Sequence, residues 1–358
     1  MTEIKHFSTH TLGFTKNNKR LWITDEIISG AGFSGGEGIK YERKDGAFII
    51  TSAGESPSRN HVADCQKGKI IDLNNSSLTE EFKDFQKVEV TFEPGKIVVR
   101  GNHHESKIKA REENLIRRVK TGEHIRKGGL FVGLGLLDRS IHRGLNAAGV
   151  TAKQRFANEY EPFPSAANLG GNEIWEDPAP GAVFVQDDIY TMDMDKVPNL
   201  DILVIGSPCP AFSQVNTHRK NENKTDIWHP ESGTIFQPIL EAINKSNPST
   251  VLLENSPNFE GSVFDYIMTD VMRRYGYNQV ETVLDGRSHG DFELRKRLCR
   301  VWYSKGLEAP DLDQLSKDAS NLSARTVQDV LEPMMDDDPR WGRRSYLEAK
   351  NAESHNGH

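Results

Sequence analysis

The spacing of apolar residues changes near residue 128. Before that point, short segments partly alternate apolar and polar positions. The run 39–50 breaks at Asp45-Gly46, and the run 88–99 breaks at Pro94-Gly95. Both dipeptides are typical of turns between antiparallel strands. The pattern predicts a small β-rich module over residues 1–106.

Residues 107–120 have the periodicity of a helix. Ile108, Leu115, Ile116 and Val119 recur at helical spacing among charged residues. Residues 101–127 contain eight Lys or Arg against four acids. We expect a basic helical linker over 107–127 with a solvated charged face, while a helix that contacts phosphate is the alternative.

From residue 128 to residue 304, apolar runs alternate with polar segments compatible with helices. The runs are GLFVGLG, RFANEY, AVFVQDD, DILVIGS, TVLLEN and LCRVWYS. This alternation predicts an α/β domain with an open, mostly parallel sheet. Residues 305–358 are polar, and we expect a short helix over 326–331 followed by a loosely ordered tail.

Composition limits the classes of protein that the chain can represent. The 358 residues have a formal net charge of −7, so a protein coated in cations is excluded and any affinity for nucleic acid must be local. No apolar run approaches the roughly 20 residues of a membrane span, and no secretory leader is recognisable, so we expect a cytoplasmic protein. The three cysteines form no C-x-x-C pair, and we expect no disulfide framework and no metal site.

Glycines and acids at predicted strand ends indicate a nucleotide-like ligand. Phe131, Gly133 and Gly135 lie between a strand-like run and a helical one, where glycine permits a tight turn close to a ligand. Glu159 and Asp188 are at the carboxyl ends of the next two runs, where carboxylates can accept hydrogen bonds from ribose hydroxyls and an adenine amine. Because the turn lacks a third glycine and no P-loop occurs, NAD and ATP are disfavoured.

A cysteine and a glutamate end two further predicted strands. Cys209 lies between two prolines directly after the run 201–205, and Glu254 ends the run 250–255. A strand-end loop can expose a thiolate, and a carboxyl group at the same edge can assist nucleophilic addition. A buried inert thiol and a salt-bridged acid remain the alternatives. Arg295 and Arg297 alternate, so on a strand they share one face and form either a guanidinium clamp or structural ion pairs.

Six segments in this order resemble the motifs of the DNA (cytosine-5)-methyltransferase family over about residues 128–304. They are FVGLG, NEYEPF at 158–163, DDI at 187–189, GSPCPAFSQ at 206–214, LLENSPNF at 252–259 and GDFELRKRLCRVW at 290–302. The resemblance implies the fold of S-adenosylmethionine-dependent methyltransferases and transfer of a methyl group to carbon 5 of a flipped-out cytosine through a covalent cysteine adduct.

The resemblance also assigns roles to residues. The cofactor S-adenosyl-L-methionine would contact the glycine loop, with Glu159 on the ribose and Asp188 on the adenine amine. Cys209 would be the nucleophile and Glu254 its acid partner, with Arg295 and Arg297 orienting the cytosine and the glutamate or neutralising phosphate. The implied cofactor residues are Phe131, Gly133, Gly135, Glu159, Tyr160, Asp188, Ile189 and Pro208.

The chain departs from the family pattern at several positions. Gly129 replaces the usual aspartate, Pro210 a glutamine, Ser256 a valine, and Phe292-Glu293 a proline–glutamine pair. After RTVQDVLEPM at 325–334 only 24 residues remain, too few for the family's target-recognition region. We expect either a shortened chain or a substitute for that region from the N-terminal module and the basic helix.

The segment 20–53 resembles the hairpin unit of the AbrB/SymE superfamily, which implies DNA binding, although a hairpin without a nucleic-acid role fits as well. The expected partners are duplex DNA and a cognate restriction enzyme, with no membrane. Two other functions remain open, namely methylation of cytosine in RNA and regulation by a non-catalytic DNA-binding protein.

Overall fold

The structure is a computed structural model that describes residues 6–25, 27–54, 60–66, 68–212, 225–291 and 295–318, together with Pro333, Met335 and Asp338. The predicted helix at 326–331, most of the polar segment 305–358 and the pair Phe292-Glu293 lie outside the described residues.

The N-terminal part folds into two antiparallel sheets, with strand orders β1-β8-β9-β5-β4 and β2-β3-β7-β6. Both predicted hairpins are present, and Asp45 and Gly46 supply the positive φ angles of 50° and 67° at the first turn. Alternate residues such as Val88, Val90 and Phe92 are buried in the core of this part. Its elements are β1 (His6–Thr11), β2 (Gly13–Thr15), β3 (Asn18–Asp25), α1 (Ile27–Gly30), β4 (Gly38–Lys44), β5 (Ala47–Gly54), β6 (Ala63–Cys65), β7 (Gly68–Leu73), α2 (Ser76–Glu81), β8 (Lys87–Glu93) and β9 (Lys96–Gly101).

The basic helix is longer than the sequence pattern indicates. Helix α3 (His103–Thr121) begins after Asn102, whose side chain accepts a hydrogen bond from the Glu105 N–H, and ends at Gly122 with a φ of 70°. It packs on the seven-stranded sheet described below and buries Ile108 and Arg111. Ile108 belongs to the predicted apolar face, whereas the expectation that the charged side chains are solvated is wrong for Arg111.

The prediction for the apolar face of α3 is also wrong in part. The side chains of Ile116 and Val119 are 42% and 53% exposed. The buried face of α3 includes Arg111, which apolar periodicity does not predict.

The second part is a seven-stranded sheet with order β12-β11-β10-β13-β14-β16-β15. Strands β10 to β14 are parallel, and β16 is antiparallel to both of its neighbours. The predicted open, mostly parallel sheet is confirmed. Its elements are β10 (Ile125–Leu130), α4 (Leu136–Ala147), β11 (Ala152–Glu159), α5 (Pro162–Gly171), β12 (Val183–Gln186), β13 (Ile202–Ile205), α6 (Phe236–Ser246), β14 (Thr250–Asn255), α7 (Val263–Arg274), β15 (Tyr277–Asp285), β16 (Lys296–Ser304) and α8 (Asp313–Asp318).

Helices cover both faces of this sheet. Leu203 and Ile205 point into the larger core, where they join buried side chains of α6 and α7. Ile202 and Val204 point to the other face, with partly buried residues of α3 and α4. Because β10 and β13 are neighbours whose connections leave in opposite directions, a crevice opens at their carboxyl ends.

Helix α3 joins the N-terminal part to the opposite edge of the sheet, where the parallel strands begin. The Glu105 carboxylate accepts hydrogen bonds from the Gln86 and Lys87 N–H groups at 2.8 and 3.3 Å. On its other side, the Arg118 Nε atom lies 3.4 Å from an Asp201 carboxylate oxygen, directly before β13. The N-terminal sheets are therefore attached at the amino-end edge of the seven-stranded sheet.

Within the described residues, no helix combines the length and apolar character needed to cross a membrane.

Candidate active site

The loop between β10 and α4 has an uncommon backbone conformation. Phe131, Gly133 and Gly135 have φ angles of 56°, 51° and 76°. A positive φ is rare for phenylalanine, and such residues concentrate at functional sites. A Cβ atom on Gly135 would lie 2.3 Å from the Asn172 Nδ2 atom, so the turn requires glycine, whereas one on Gly133 would meet no atom within 4 Å. The loop is thus rigid on one side and open to a ligand on the other.

Two side-chain amides, one on helix α5 and one on the residue directly after it, hold this loop from outside. The Asn168 Nδ2 group donates to the Gly133 carbonyl at 3.1 Å, and the Asn172 Nδ2 group donates to the Leu134 and Gly135 carbonyls at 3.2 and 3.1 Å. Both asparagines are buried. Sequence reasoning missed these residues, because Asn172 lies just beyond the end of α5 and its place beside the loop depends on tertiary packing.

Glu159 lies at the end of β11 and is only 9% exposed. Its Oε2 atom accepts a hydrogen bond from the Gly133 N–H at 2.7 Å, and its Oε1 atom accepts from the Tyr160 and Glu161 N–H groups at 2.9 and 3.0 Å. A carboxylate has roughly four acceptor positions, so Glu159 retains capacity for a ligand hydroxyl. The Tyr160 ring beside it is 63% exposed.

Asp188 and Ile189 follow β12 at the same edge. The Asp188 carboxylate is partly exposed and accepts a hydrogen bond from the Tyr190 N–H at 3.0 Å. The Ile189 side chain is only 3% exposed and belongs to the larger core, so it does not face the crevice as a contact residue would. Any contact from Ile189 to a cofactor would have to come from its backbone.

A buried ion pair lies beneath the glycine loop. The Lys127 Nζ atom is 3.0 Å from an Asp138 carboxylate oxygen and also contacts the Gln154 Oε1 atom. Burial lowers the pKa of Lys127, and the charge of Asp138 opposes that effect. A Cβ atom on Gly129 would lie 2.6 Å from the Asp138 carboxylate, so the glycine that departs from the family pattern makes room for it.

Cys209 lies on the loop that follows β13. The residue is partly exposed and its thiol is free, while Ser207 and Phe212 on either side are buried. Pro208 is partly exposed in the same loop. The Phe212 N–H donates to the Cys209 carbonyl at 2.9 Å, which closes a turn around the cysteine. A nucleophilic thiol must be accessible to its substrate, and the partial exposure of Cys209 meets that requirement.

Glu254 lies at the end of the neighbouring strand. It follows Leu253, which pairs with Ile205 of β13, so it shares the sheet edge with the Cys209 loop. The Asn255 side-chain amide donates to the Ser207 hydroxyl at 2.8 Å and ties the loop to the strand end. The structure therefore brings the predicted thiol and carboxylate to one edge.

The two predicted arginines differ in position. The Arg297 Nε atom lies 2.7 Å from a Glu254 carboxylate oxygen, and the two side chains are 23% and 30% exposed. Arg297 lies in β16, whereas Arg295 is exposed and precedes that strand, so the expectation that both arginines share one strand face is wrong. Cys299 lies directly across from Glu254, and burial and the negative charge of Glu254 raise its pKa to about 11.

Across the part of the chain that the structure describes, no cluster of three or more His, Cys, Asp or Glu side chains is arranged to hold a metal ion.

Comparisons with known proteins match the part of the chain that contains these strand ends. The family described as C-5 cytosine-specific DNA methylase matches residues 129–358, well over half of the chain. The Type II methyltransferase M.MspI of Moraxella sp is 30% identical over 203 residues, which cover 54% of this chain and 43% of that protein. M.SsoII of Shigella sonnei is 28% identical over 183 residues, 49% of this chain and 42% of that protein.

A third relative, M.HhaI of Haemophilus parahaemolyticus, is 25% identical over 182 residues, 50% of this chain and 49% of that protein. The matched region thus spans less than half the length of each of these three relatives.

The sheet order, the glycine loop and the acids at the next strand ends define the class of open α/β domains with a ligand crevice at the carboxyl ends of the parallel strands. Within that class, the chain belongs to the C-5 cytosine-specific DNA methylase family. The family match begins at residue 129, so the resemblance of the segment 20–53 to the AbrB/SymE superfamily stays a prediction.

Proposed function

We propose that the protein transfers a methyl group from S-adenosylmethionine to carbon 5 of a cytosine in DNA. The observation that carries this proposal is the hydrogen bond between Asn255 and Ser207, because it joins the loop of Cys209 to the strand end of Glu254. Membership of the C-5 cytosine-specific DNA methylase family supports the choice of base and of nucleic acid.

The crevice fits an adenosine-containing cofactor. Gly133 leaves its side of the loop open, and Glu159 keeps an acceptor position for a ribose hydroxyl. Asp188 can accept from an adenine amine, while Phe131, Tyr160 and Pro208 would contribute apolar surface. S-adenosylmethionine, when bound there, would supply an activated methyl group.

Cytosine carbon 5 is a poor nucleophile, and the Cys209 thiol and the Glu254 carboxyl group together would increase its reactivity. The Cys209 thiolate adds to carbon 6, and Glu254 shares a proton with ring nitrogen 3, so the electron pair of the 5,6 double bond moves toward carbon 5. After carbon 5 has taken the methyl group, a water removes its proton. The sulfur–carbon bond then breaks, which restores the double bond and releases the thiolate.

The target base has to leave the duplex, because carbon 6 is inaccessible inside a base stack. Flipping costs a few kcal/mol, which contacts in the pocket offset. Arg297 is placed to orient Glu254, and the exposed Arg295 is available to phosphate or to the cytosine. Because its relatives are named Type II methyltransferases, we further propose a cognate restriction enzyme as a functional partner.

Transfer of a tritiated methyl group to duplex DNA and to RNA, measured side by side, tests the proposal. We expect incorporation into DNA by the parent protein and none by Cys209→Ser, with Cys65→Ser as the matched control at parental activity. Incorporation into RNA alone would favour the RNA alternative. Undiminished activity of Cys209→Ser, or no activity of the parent on either substrate, would contradict the proposed mechanism.

A further inference from the structure

The segment directly after Glu254 holds the Cys209 loop at both ends. At the first end, the Asn255 amide donates to the Ser207 hydroxyl at 2.8 Å. At the second end, the Ser256 hydroxyl and the Asn258 amide both donate to the Phe212 carbonyl, at 3.3 and 2.9 Å. We call Asn255, Ser256 and Asn258 the loop clamp.

The clamp contacts lie in a buried environment. Ser207, Phe212, Asn255 and Ser256 are exposed by 5%, 5%, 1% and 7%. The Asn255 Oδ1 atom accepts from the Ser256 N–H at 2.6 Å, which fixes the orientation of the amide that holds Ser207. Because a buried polar group that loses its partner destabilises the fold, these contacts strongly favour one arrangement of the loop.

Aromatic packing fixes the second end further. The Phe212 ring packs edge-on against the Phe259 ring, with centroids 5.2 Å apart, and against the Phe264 ring at 5.5 Å. Cys209 is therefore held in a short turn between two anchored ends, and its thiol can move only as far as that turn allows.

We propose that Ser256 and Asn258 are positioning residues that set the place of the Cys209 thiol relative to Glu254. Valine, the usual residue at the position of Ser256, has no hydroxyl, so in this chain Ser256 is an additional donor to the Phe212 carbonyl. Misplacing a reacting group by about 1 Å can cost about 100-fold in rate, so a clamp of this kind affects turnover more than cofactor binding. The inference rests on the proposed function for its catalytic consequence only.

The shared carbonyl predicts a specific pattern of rates. Among the described residues, Ser256→Ala leaves the Phe212 carbonyl with the Asn258 amide as donor, and we expect a decrease in kcat of about 3-fold. Asn258→Ala removes the shorter bond, and we expect about 10-fold. The double variant removes both of these donors, so its loss in kcat should exceed the product of the single losses. The KM for S-adenosylmethionine should stay unchanged, and Ser256→Thr, which keeps the hydroxyl, should retain the parental rate.

Ser246→Ala is the matched control. Ser246 is buried at the end of α6 and its hydroxyl donates to the Ala242 carbonyl at 2.6 Å, so its loss removes a donor to a buried carbonyl without touching the Cys209 loop or the rings that pack on Phe212. We expect parental kcat for Ser246→Ala. A loss of kcat in Ser246→Ala equal to that in the clamp variants, or clamp variants with the parental rate, would overturn the inference.

A second readout does not depend on DNA. Alkylation of Cys209 by iodoacetamide, followed by peptide mass spectrometry, should be about 3-fold faster or more in the double variant, because the turn is released. An unchanged alkylation rate overturns the clamp whether or not the protein methylates DNA. If alkylation quickens but the parent transfers no methyl group, the proposed function fails and the clamp stands.

Discussion

At the scale of single residues, Glu254 lies beside the cation of Arg297 and the thiol of Cys299. The Arg297 Nε atom contacts its carboxylate at 2.7 Å, and Cys299 is its cross-strand partner. The Arg297 guanidinium holds the Glu254 carboxylate in one position, and the negative charge of that carboxylate helps to raise the pKa of the Cys299 thiol. The role of Arg297 can be tested by enzyme kinetics, and the environment of Cys299 can be tested by titration of its thiol.

Arg297→Met should decrease kcat by about 10- to 100-fold, because the Glu254 carboxylate loses the group that orients it. The KM for S-adenosylmethionine should change little. Steady-state methyl transfer measures both constants. Arg273→Met is the matched control, since Arg273 forms an exposed pair with Asp270 on α7 and should leave both constants at parental values. A parental kcat in Arg297→Met would contradict this role.

Cys299 should titrate at an unusually high pH. Burial, and after it the charge of Glu254, raises the pKa of this thiol from its usual 9.0 to about 11. The group therefore contributes stability that is fully present below pH 9 and is lost as the pH rises to 11. The rate of Cys299 alkylation against pH should have its midpoint near 11 in the folded protein and near 9 after unfolding.

Glu254→Gln removes the second cause of that shift. The midpoint for Cys299 alkylation should then move down, though not to its unfolded value, because burial remains the larger cause. An unchanged midpoint would show that Glu254 carries no negative charge near this thiol.

At the scale of elements, helix α3 is fastened by a buried cation. The Arg111 guanidinium donates to the Ser304 hydroxyl at 2.8 Å and to the Tyr275 and Gly276 carbonyls at 3.0 and 2.8 Å, and it stacks 3.7 Å from the centre of the Tyr277 ring. Arg111 thereby links the helix to the sheet edge opposite the site.

Arg111→Met should lower the free energy of unfolding by about 3 kcal/mol, since two buried carbonyls lose a charged donor. Denaturant unfolding monitored by circular dichroism measures the change. Arg117→Met on the same helix removes an exposed pair with Glu123 and should leave the free energy of unfolding close to the parental value. Equal losses in the two variants would contradict the account of α3.

Elements with a strong local signal were predictable. The runs that became β13 and β14 are apolar at their centres because both faces of the sheet are covered, and Asp45-Gly46 marks its hairpin through backbone preference. Strand β15 was not predicted, because it contains no apolar run. It is an edge strand in which buried, partly buried and exposed positions are interspersed.

The strand ends that carry the site residues could be predicted from the sequence, but the contacts between those residues could not. Parallel strands carry their carboxyl ends to one edge, so Cys209 and Glu254 could be placed together from sequence. The burial of Ile189 and of Arg111 could not be predicted, since each depends on tertiary packing that residue type does not disclose. The loop clamp depends on side-chain amide geometry, which spacing along the chain does not encode.

At the scale of the whole molecule, the N-terminal sheets and the site occupy opposite edges. Gln86 and Lys87 meet α3 at the edge where the parallel strands begin, and Cys209 lies beyond the edge where they end. This arrangement argues against the expectation that the N-terminal module substitutes for the target-recognition region around the flipped base.

Hydrogen exchange on a short duplex complex tests that arrangement. A duplex of about 12 base pairs should protect amides in residues 206–212 and in the loop after β10, and should leave β8 and β9 unchanged. Protection of β8 and β9 with no protection at 206–212 would support instead a DNA-binding regulator that uses its N-terminal module.

The most direct measurement of the central claim is covalent trapping. A 5-fluorocytosine placed in a duplex has no proton at carbon 5 for a base to remove, so once carbon 5 has been methylated the thiolate cannot be eliminated and the sulfur–carbon bond persists. With S-adenosylmethionine present, we predict a denaturation-resistant complex whose cross-linked peptide contains Cys209, and none with Cys209→Ser. Methyl transfer to ordinary DNA without any trapped complex, or a cross-link at another residue, would contradict the account.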